Sequence, residues 1–313
     1  MNILLTGATG FVGGNVFNKI QDNHNVEILV RSESPSYTVK SYIGKIDQDS
    51  DYSEAMCQKD VVIHCAARAH IMKDQSSNPL QGFREVNTFG TINLANQAAA
   101  NGAKRFIFIS SIKVNGEFTG LNPFTARDKP NPADPYGVSK SEAEDALLAV
   151  GKKTGMEIVI IRPPLVYGPK VKANFASLLN LVNKRVPLPF RCIVNNRRSF
   201  VYVDNLVDLI ITCLEHPMAI QQVFLVSDGH DVSTYELINE MSKALNRKSF
   251  QIPVPEFIYK IVGKLMRKED VVLRLIGSLQ VDIAHTKNTL NWEPPYTFEQ
   301  GLSITAKSRK RYN

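Results

Sequence analysis

The first half of the chain alternates between short apolar runs and longer stretches with helical periodicity. The short runs are rich in Ile, Val and Phe, with apolar residues at odd and even positions, which is typical of parallel strands buried on both faces. These runs cover residues 2–6, 26–31, 60–67, 105–111 and 157–163. Helical patterns separate them at 12–22, 81–101 and 135–153. The alternation predicts an α/β fold built on a doubly wound parallel sheet.

The pattern changes after residue 163, where prolines become frequent and the regular alternation stops. A strand-like run then leads into a helical pattern within residues 199–216, and residues 222–228 form one more strand-like run. From Val232 onward the chain is mostly helical, with proline breaks. We therefore predict a sheet domain made of residues 1–163 and 203–228. Residues 164–202 and 229–313 are predicted to form a smaller, mostly helical lobe.

Composition and charge narrow the class of protein. The chain has 313 residues, of which 43% are hydrophobic and 21% charged, as in an ordinary enzyme. Its apolar runs fall short of the roughly 18 residues that a membrane span needs. A glycine-rich loop from Gly7 argues against a signal peptide, and four scattered cysteines favour a cytoplasmic location with free, mostly buried thiols. We interpret the basic tail Lys307–Arg311 as a solvated terminus rather than a site for an anionic membrane surface or nucleic acid.

The segment "LLTGATGFVGG" follows the first predicted strand and opens a helix. Its Gly7, Gly10 and Gly13 have the spacing G-x-x-G-x-x-G, which gives a tight turn and lets the backbone approach a pyrophosphate at the helix N-terminus. This arrangement predicts a dinucleotide site on a Rossmann sheet. The sheet domain would then bind the dinucleotide, and the smaller lobe would bind the substrate.

The end of the second predicted strand bears on which dinucleotide binds. An acidic residue there would hydrogen-bond the ribose of NAD, whereas an arginine accommodates the 2′-phosphate of NADP. This chain has Arg31, flanked by Ser32 and Ser34. NADP(H) is therefore the favoured cofactor, and NAD(H) is the alternative. Arg31 could instead be an ordinary surface arginine after a strand, with no contact to a cofactor. Asp47 is a candidate contact for the adenine edge, or alternatively a turn residue.

A second group of residues carries acid–base chemistry. Tyr136 and Lys140 stand four apart on a predicted helix, so they share one face about 6 Å apart. A nearby ammonium favours the phenolate and so is expected to lower the pKa of the tyrosine. Ser111, at the end of the 105–111 run, can hydrogen-bond the same substrate oxygen. Together these residues predict proton transfer coupled to hydride transfer by a nicotinamide cofactor.

The chain resembles the extended short-chain dehydrogenases/reductases that act on nucleotide sugars. The resemblance covers nearly the whole length and rests on "TGATGFVG", "VIHCAA", "EVNTFGTINL", "SSIKVNG", "YGVSK", "RPPLVYGP" and "RRSFVYVDNL". It implies that Ser111, Tyr136 and Lys140 form a catalytic triad. Beyond Arg31 and Asp47, it implies cofactor contacts at Gly7, Thr9, Gly10, Phe11, Val12, Gly13, Ala66, Ala67, Asn87, Tyr136, Lys140 and Pro163.

The resemblance also bears on the substrate. Dehydratases of the family carry an Asp-Glu pair after the catalytic hydroxyl residue, whereas this chain has Ile112 and Lys113, which argues against dehydration. The likeness places Arg198 and Arg274 at the nucleotide diphosphate, and arginine suits diphosphate oxygens. Ser111 and Lys113 are further candidate substrate contacts.

Three positions concern how the sugar would be held. Leu165 replaces an asparagine usual in the family, and Asn174 could substitute for it or could simply cap a helix. Val281 is a small residue where family members confined to small hexoses carry a bulky one. We therefore expect room for a 2-acetamido group.

The resemblance is greatest to one subgroup of the family. The members of this subgroup are similar to UDP-glucose 4-epimerases and include UDP-2-acetamido-2,6-dideoxy-hexulose 4-reductases. The favoured hypothesis is reduction of the C4 ketone of such a UDP-sugar, for surface polysaccharide synthesis. A reductase exchanges its NADPH at every turnover, and Arg31 is the kind of residue that accommodates NADPH. The alternative is a UDP-hexose or UDP-N-acetylhexosamine 4-epimerase with tightly bound NAD. A non-catalytic dinucleotide sensor is a third hypothesis. The resemblance also allows for a homodimer.

Two further expectations concern other ligands. The six histidines lack metal-ligand spacing, so no metal site is expected, and no nucleic acid or stable membrane insertion is expected either. The segment 254–275 is apolar and basic by turns, which fits either core packing of the smaller lobe or a helix facing a membrane. A lipid-linked sugar therefore stays open as a substrate.

Overall fold

The structure is a computed structural model that describes residues 1–33, 37–69 and 78–310. Ser34 and Arg311 therefore lie outside the described residues. The described residues contain nine strands: β1 (Asn2–Thr6), β2 (Asn25–Val30), β3 (Ser41–Ile43), β4 (Val61–His64), β5 (Arg105–Ile109), β6 (Glu157–Arg162), β7 (Leu165–Tyr167), β8 (Phe200–Tyr202) and β9 (Gln222–Leu225).

Seven of these strands form one parallel sheet in the order β3-β2-β1-β4-β5-β6-β9. The predicted doubly wound α/β fold is thereby confirmed. Several strands end earlier than predicted, because the chain turns into loops at the carboxyl edge of the sheet. The three-residue strand β3 was not predicted. β7 and β8 pair with each other in a separate parallel ribbon.

The described part of the chain also contains twelve α-helices. They are α1 (Phe11–Ile20), α2 (Ser53–Met56), α3 (Pro79–Phe83), α4 (Thr91–Ala100), α5 (Pro135–Thr154), α6 (Ala173–Asn183), α7 (Val203–Glu215), α8 (Thr234–Leu245), α9 (Glu256–Leu265), α10 (Glu269–Ile276), α11 (Ala284–Leu290) and α12 (Phe298–Lys310). The helix predicted over 81–101 is divided, since a π-helix at Arg84–Gly90 joins α3 to α4. Short 3-10 helices lie at Ile112–Val114 and Pro217–Ala219.

Alternate residues of the central strands pack against helices on opposite faces of the sheet. Ile3 and Leu5 belong to a buried cluster with residues of α1, α7 and α12. Leu4 belongs to a second buried cluster with residues of α4 and α5. Burial on both faces explains why the strands appear in the sequence as continuous apolar runs.

The strand order reverses between β1 and β4, whose carboxyl ends lie side by side with Thr6 opposite His64. Ligands of open α/β sheets bind in the crevice outside such a switch point. The loops that follow β1, β4, β5 and β6 meet at this edge because the strands are parallel. The candidate site residues predicted from the sequence lie mostly on these loops.

The division into a sheet domain and a smaller lobe stays a prediction, although the seven strands of the main sheet all lie within 1–163 and 203–228. All four cysteines are free, but the expectation of mostly buried thiols is wrong, because Cys213 alone among these four is buried. Residues 1–33, 37–69 and 78–310 include no helix long and apolar enough to cross a bilayer.

Candidate active site

The loop after β1 leaves no space for side chains at Gly7 and Gly13. A Cβ atom on Gly7 would lie 2.6 Å from the backbone nitrogen of Ala66, and one on Gly13 would lie 2.2 Å from the carbonyl oxygen of Gly7. Gly7 also has φ +75°, a conformation that L side chains rarely adopt. The amide of Gly10 donates to the Gly7 carbonyl at 2.9 Å and closes the turn.

The N-terminus of α1 is open to an anion. Gly10 occupies its N-cap position without a side-chain cap, and the first turn contains no acidic residue. Thr9 and Gly10 are exposed, and Phe11 and Val12 are half-buried. Uncapped amides at a helix N-terminus attract phosphate. The loop therefore fits the pyrophosphate of a dinucleotide.

The loop after β4 is fastened to the end of β1. The Thr6 hydroxyl hydrogen-bonds His64 Nδ1 at 2.7 Å and accepts the amide of Ala66 at 3.2 Å. Burial lowers the pKa of His64 to about 3, so this imidazole is neutral at physiological pH. Ala66 is half-buried and Ala67 is exposed on this loop, beside Gly7.

Arg31 and Asp47 lie beyond the ends of β2 and β3. Arg31 is exposed directly after β2. The Asp47 carboxylate accepts the amides of Asp49 at 3.2 Å and Ser50 at 2.8 Å, and the hydrogen bonding of Ser50 is the largest effect that lowers its pKa. These contacts form an Asx turn. The structure therefore favours the turn explanation for Asp47, and its role at the adenine edge stays a prediction.

The three candidate catalytic residues come from β5 and α5. Ser111 follows β5 and caps the 3-10 helix at Ile112–Val114, accepting the amide of Lys113 at 3.3 Å. Tyr136 and Lys140 lie in the first turns of α5, which Asp134 caps by accepting the Gly137 amide at 2.7 Å.

The start of α5 packs directly on the segment that follows Ser111. A Cβ on Gly137 would lie 2.8 Å from the carbonyl oxygen of Lys113, which shows how closely the two backbones approach. Pro163, the residue after β6, is buried and accepts the amide of Ile112 at 3.0 Å. The strand-end serine and the Tyr136–Lys140 pair therefore meet at the carboxyl edge of the sheet.

Lys140 is only 1% exposed. Its ammonium donates to the Ile109 carbonyl at 2.9 Å and lies 4.2 Å from the centre of the Phe108 ring. Burial lowers the pKa of Lys140 to about 7, although the charge of Glu144 opposes this effect. Burial, with a smaller effect of Asp134, raises the pKa of Tyr136 above its ordinary value. The predicted lowering of the Tyr136 pKa by Lys140 is therefore wrong for this structure, because burial dominates and the ammonium is bound to Ile109.

A buried ion pair lies behind the candidate catalytic residues. Arg162 Nε donates to both carboxylate oxygens of Glu144 at 3.0 Å, and the two side chains are 5% and 3% exposed. Glu144 also accepts the hydroxyl of Ser110, and Arg162 Nη1 donates to Asn115 Oδ1 at 2.9 Å. The pair therefore ties β6 and α5 to the residues on either side of Ser111.

Asn87 is fully buried in the π-helix. Its side chain accepts the amide of Arg68 at 2.8 Å and donates to the Arg68 carbonyl at 3.0 Å and to the Ser139 hydroxyl at 3.1 Å. Asn87 therefore holds the loop after β4 against α5. Its predicted place near the cofactor stays a prediction.

Three candidate substrate cations gather around Glu117. Lys113 Nζ lies 2.7 Å from Glu117 Oε1 and also pairs with Asp134, while Arg274 Nε lies 4.0 Å from Glu117 Oε2. Arg198 Nη1 donates to the backbone carbonyl of Arg274 at 2.9 Å. Burial lowers the pKa of Arg198, and the neighbouring charge of Arg274 acts in the same direction. The two predicted diphosphate arginines are thus adjacent, and Lys113 is held by two carboxylates.

The remaining substrate candidates lie apart from this cluster or are buried. Asn174 is exposed in the first turn of α6, whose N-cap position is Lys172, so the helix-capping alternative is wrong. Leu165 is exposed in β7. Val281 is 6% exposed and packs with Ile112 in a small apolar cluster, so it is a core residue beside the segment that follows Ser111.

The pair Glu144–Arg162 was missed in the sequence, although two signals point to it. Arg162 is a charged residue inside an otherwise apolar strand, where an unpaired charge would be costly. Glu144 follows Tyr136 and Lys140 at successive four-residue steps on one helix face. Among the residues that the structure describes, no group of His, Cys, Asp and Glu is arranged to hold a metal ion.

The glycine loop at a switch point and the Ser-Tyr-Lys group define a nicotinamide-dependent enzyme of the extended short-chain type. The sequence profile of the NAD dependent epimerase/dehydratase family matches residues 3–227. The chain therefore belongs to this family of nucleotide-sugar enzymes. In this structure the residues of the site fit the cofactor that the family name implies.

Two curated relatives align over nearly the whole chain. The chain is 53% identical over 311 residues to a UDP-glucose 4-epimerase of Vibrio cholerae, covering 98% of this chain and 95% of the relative. It is 30% identical over 323 residues to the N-acetyl-alpha-D-glucosaminyl-diphospho-ditrans,octacis-undecaprenol 4-epimerase of Escherichia coli O157:H7, covering 97% and 94%.

Solved structures show the same fold at low identity. A UDP-glucose 4-epimerase from Thermotoga maritima, solved with UDP-glucose, has a TM-score of 0.79 at 22% identity and covers 100% of this chain and 99% of its own. A UDP-glucuronic acid 4-epimerase from Bacillus cereus, solved in complex with NAD, has a TM-score of 0.80 at 21% identity, with the same coverage.

Proposed function

We propose that this chain is a 4-epimerase of a UDP-hexose or UDP-N-acetylhexosamine that retains NAD between turnovers. The observation that supports it most is the likeness to the Vibrio cholerae UDP-glucose 4-epimerase, 53% identical along 98% of this chain. The relatives favour this hypothesis over the C4 reduction that the sequence favoured.

The candidate catalytic residues supply the proton chemistry of this reaction. A bound nicotinamide would supply reversible hydride transfer at C4 of the sugar. Tyr136 takes the proton of the C4 hydroxyl as the ketone forms and gives it back afterwards, so no external oxidant or proton is consumed. The Ser111 hydroxyl hydrogen-bonds the same oxygen and stabilises its developing charge.

Tyr136 acts as a base only if a positive charge offsets the burial that raises its pKa. Lys140 lies one turn further along α5 and donates to the Ile109 carbonyl in this structure, so we infer that it supplies this charge once cofactor and substrate are bound. The same lysine suits the hydroxyls of the nicotinamide ribose. Glycines 7, 10 and 13 would hold the cofactor pyrophosphate at the N-terminus of α1.

Epimerisation also requires the sugar to rotate and present its opposite face while the rest of the substrate stays bound. Arg198 and Arg274 are adjacent cations on separate segments of the chain, joined through the backbone of Arg274. Paired guanidinium groups suit a diphosphate. We infer that they hold the diphosphate while the ketose intermediate rotates.

A reductase is the second candidate, and Arg31 is the observation that favours it. The side chain is exposed after β2, where a 2′-phosphate of NADP would bind. An NADP-dependent enzyme exchanging its cofactor would reduce a UDP-4-keto-6-deoxy-N-acetylhexosamine.

Product analysis by NMR separates the two candidates. One sample contains UDP-glucose or UDP-N-acetylglucosamine without added cofactor, and the other contains NADPH with the 4-keto sugar nucleotide made in situ by a dehydratase. The proposal expects the C4 epimer in the first sample, and Tyr136→Phe should remove it. Oxidation of NADPH with a new 6-deoxy sugar in the second sample alone would overturn the proposal in favour of a reductase.

A further inference from the structure

Helix α9 presents a stripe of large apolar side chains to the outside of the protein. Phe257, Ile261 and Leu265 recur at four-residue steps along one face and are 61%, 61% and 83% exposed. Ile258, Val262 and Met266 form an adjacent exposed row. The core-packing explanation for this segment is therefore wrong for these side chains.

Helix α10 extends the apolar surface. A Cβ on Gly263 would lie 2.7 Å from Val272 Cγ2, so α9 and α10 pack closely at that glycine. Val271 and Leu273 on α10 are also exposed, at 59% and 42%. Residues 256–276, here called the α9–α10 hairpin, thus form one amphipathic unit. Contiguous exposed apolar surface of this kind is uncommon on an unpartnered protein surface.

Basic residues flank the apolar stripe. Lys260 and Lys264 each precede a stripe residue by one position, and Arg267 and Lys268 follow the end of α9. All four are exposed. The segment also has three acidic residues: Glu256 and Glu269 stand at the first positions of the two helices, where the helix dipole favours them, and Asp270 follows Glu269 in the sequence.

We propose that the α9–α10 hairpin docks on the surface of an anionic lipid bilayer. An apolar helix face bordered by lysines is the pattern of helices that lie in the membrane interface, where basic residues bind anionic head groups. With 10 residues, α9 is about 15 Å long, half of the roughly 30 Å hydrocarbon core, so it lies on the membrane and does not span it. A second copy of this chain fits less well, because two facing hairpins would bring their lysine rows together.

The docking surface is continuous with the candidate substrate site. Arg274 lies in the last turn of α10, and its carbonyl accepts a hydrogen bond from Arg198. Docking would therefore hold the candidate diphosphate site next to the membrane. The proposal concerns binding alone and stands whether the enzyme is an epimerase or a reductase.

Vesicle co-sedimentation of the full chain tests the proposal. Vesicles of phosphatidylcholine alone are compared with vesicles in which about a third of the lipid is phosphatidylglycerol. Binding is expected to the anionic vesicles only and to weaken as salt is raised. Ile261→Ser/Leu265→Ser and Lys260→Glu/Lys264→Glu should each reduce this binding at least about tenfold, since each basic residue near the surface contributes roughly fivefold.

Matched variants elsewhere on the surface serve as controls. Met218→Ser removes an exposed apolar residue away from the hairpin, and Lys152→Glu/Lys153→Glu makes the same charge change at the end of α5. Both should bind vesicles as the unmodified chain does. Unchanged turnover of a soluble UDP-sugar, or an unchanged thermal unfolding temperature, shows that the hairpin variants are folded.

Three results would overturn the proposal. The first is an unmodified chain that sediments with neither kind of vesicle. The second is equal binding by the hairpin variants and the control variants. The third is a hairpin variant that converts a dimer to a monomer in analytical ultracentrifugation, which would assign the surface to a second copy.

Discussion

Glu144 and Arg162 form a buried, bidentate ion pair next to the segments that carry the candidate catalytic serine and lysine. Arg162 Nε lies 3.0 Å from each Glu144 oxygen. Glu144 also accepts the Ser110 hydroxyl, and it lies one turn beyond Lys140 on α5. Its position therefore fixes the end of β5 against the helix that carries Tyr136 and Lys140. Proton transfer depends on such fixed geometry, so we expect this pair to act as a positioning element for the candidate catalytic residues.

We predict that Glu144→Gln destabilises the fold and lowers kcat. The substitution leaves the Arg162 charge buried without its partner, which typically costs about 3–5 kcal/mol of unfolding free energy. Urea unfolding measures this loss. Glu142→Gln on the same helix is the matched control, because the Glu142–Arg84 pair is about one third exposed and should contribute at most about 1 kcal/mol. Equal losses in the two variants would contradict this account of Glu144.

We predict that Gly13→Ala prevents cofactor retention. The new Cβ would lie 2.2 Å from the Gly7 carbonyl oxygen, and neither backbone segment can move without opening the phosphate loop. Absorbance and mass spectrometry of the purified protein measure bound dinucleotide. Gly120→Ala should retain it, because a Cβ there meets nothing within 4 Å. Retention by both variants would show that the loop does not bind the pyrophosphate.

We predict that Lys140 makes the protein less stable at neutral pH than at alkaline pH. Burial lowers its pKa to about 7 in the folded chain, whereas the ordinary value is 10.5. Between these values the unfolded chain binds more protons, so the contribution of Lys140 to stability rises with pH and levels off above 10.5. In urea unfolding, the stability advantage of Lys140→Met over the unmodified chain should therefore be largest at pH 6 and shrink by pH 10. An advantage independent of pH would contradict the lowered pKa.

We predict that Arg198→Ala and Arg274→Ala raise the KM of the sugar nucleotide with little change in kcat. A charge-assisted hydrogen bond contributes about 1.5–3 kcal/mol, which corresponds to roughly 10- to 100-fold in KM. The effect falls on KM because a fixed diphosphate is held equally before and during the reaction. Arg197→Ala is the control, since Arg197 is partnered by Glu236 at 3.4 Å. A loss confined to kcat would remove the arginines from diphosphate binding.

The fold could be predicted from the sequence because buried strands have a recognisable pattern of apolar residues. Strands with two covered faces are apolar at every position, and helices between them show their own period. The break of the helix at 81–101 could not be predicted this way, because Asn87 of the π-helix makes its contacts with Arg68 and Ser139, which are distant in the sequence. Strand ends were overestimated because apolar residues continue into the loops of the site.

The candidate site was predictable where spacing along the chain fixes geometry, as for Gly7, Gly10, Gly13 and the Tyr136–Lys140 pair. Contacts between segments that are distant in the sequence could not be predicted from spacing. The hydrogen bond of Lys140 to the Ile109 carbonyl depends on how α5 packs on β5. This packing could not be predicted from the sequence, and the prediction of a lowered Tyr136 pKa did not take it into account. The exposure of the α9 stripe likewise depends on tertiary packing, since the same pattern suits a core helix.

In the proposed C4 epimerisation, the hydride that leaves C4 would return to the same carbon without exchange, because the cofactor would be retained. The most direct measurement uses UDP-glucose deuterated at C4, incubated in ordinary water with excess unlabelled NADH in solution and analysed by mass spectrometry and NMR. We expect UDP-galactose that keeps the deuterium at C4. UDP-galactose that has lost the label to solvent or to free NADH, or no epimer at all from either UDP-glucose or UDP-N-acetylglucosamine, would contradict it.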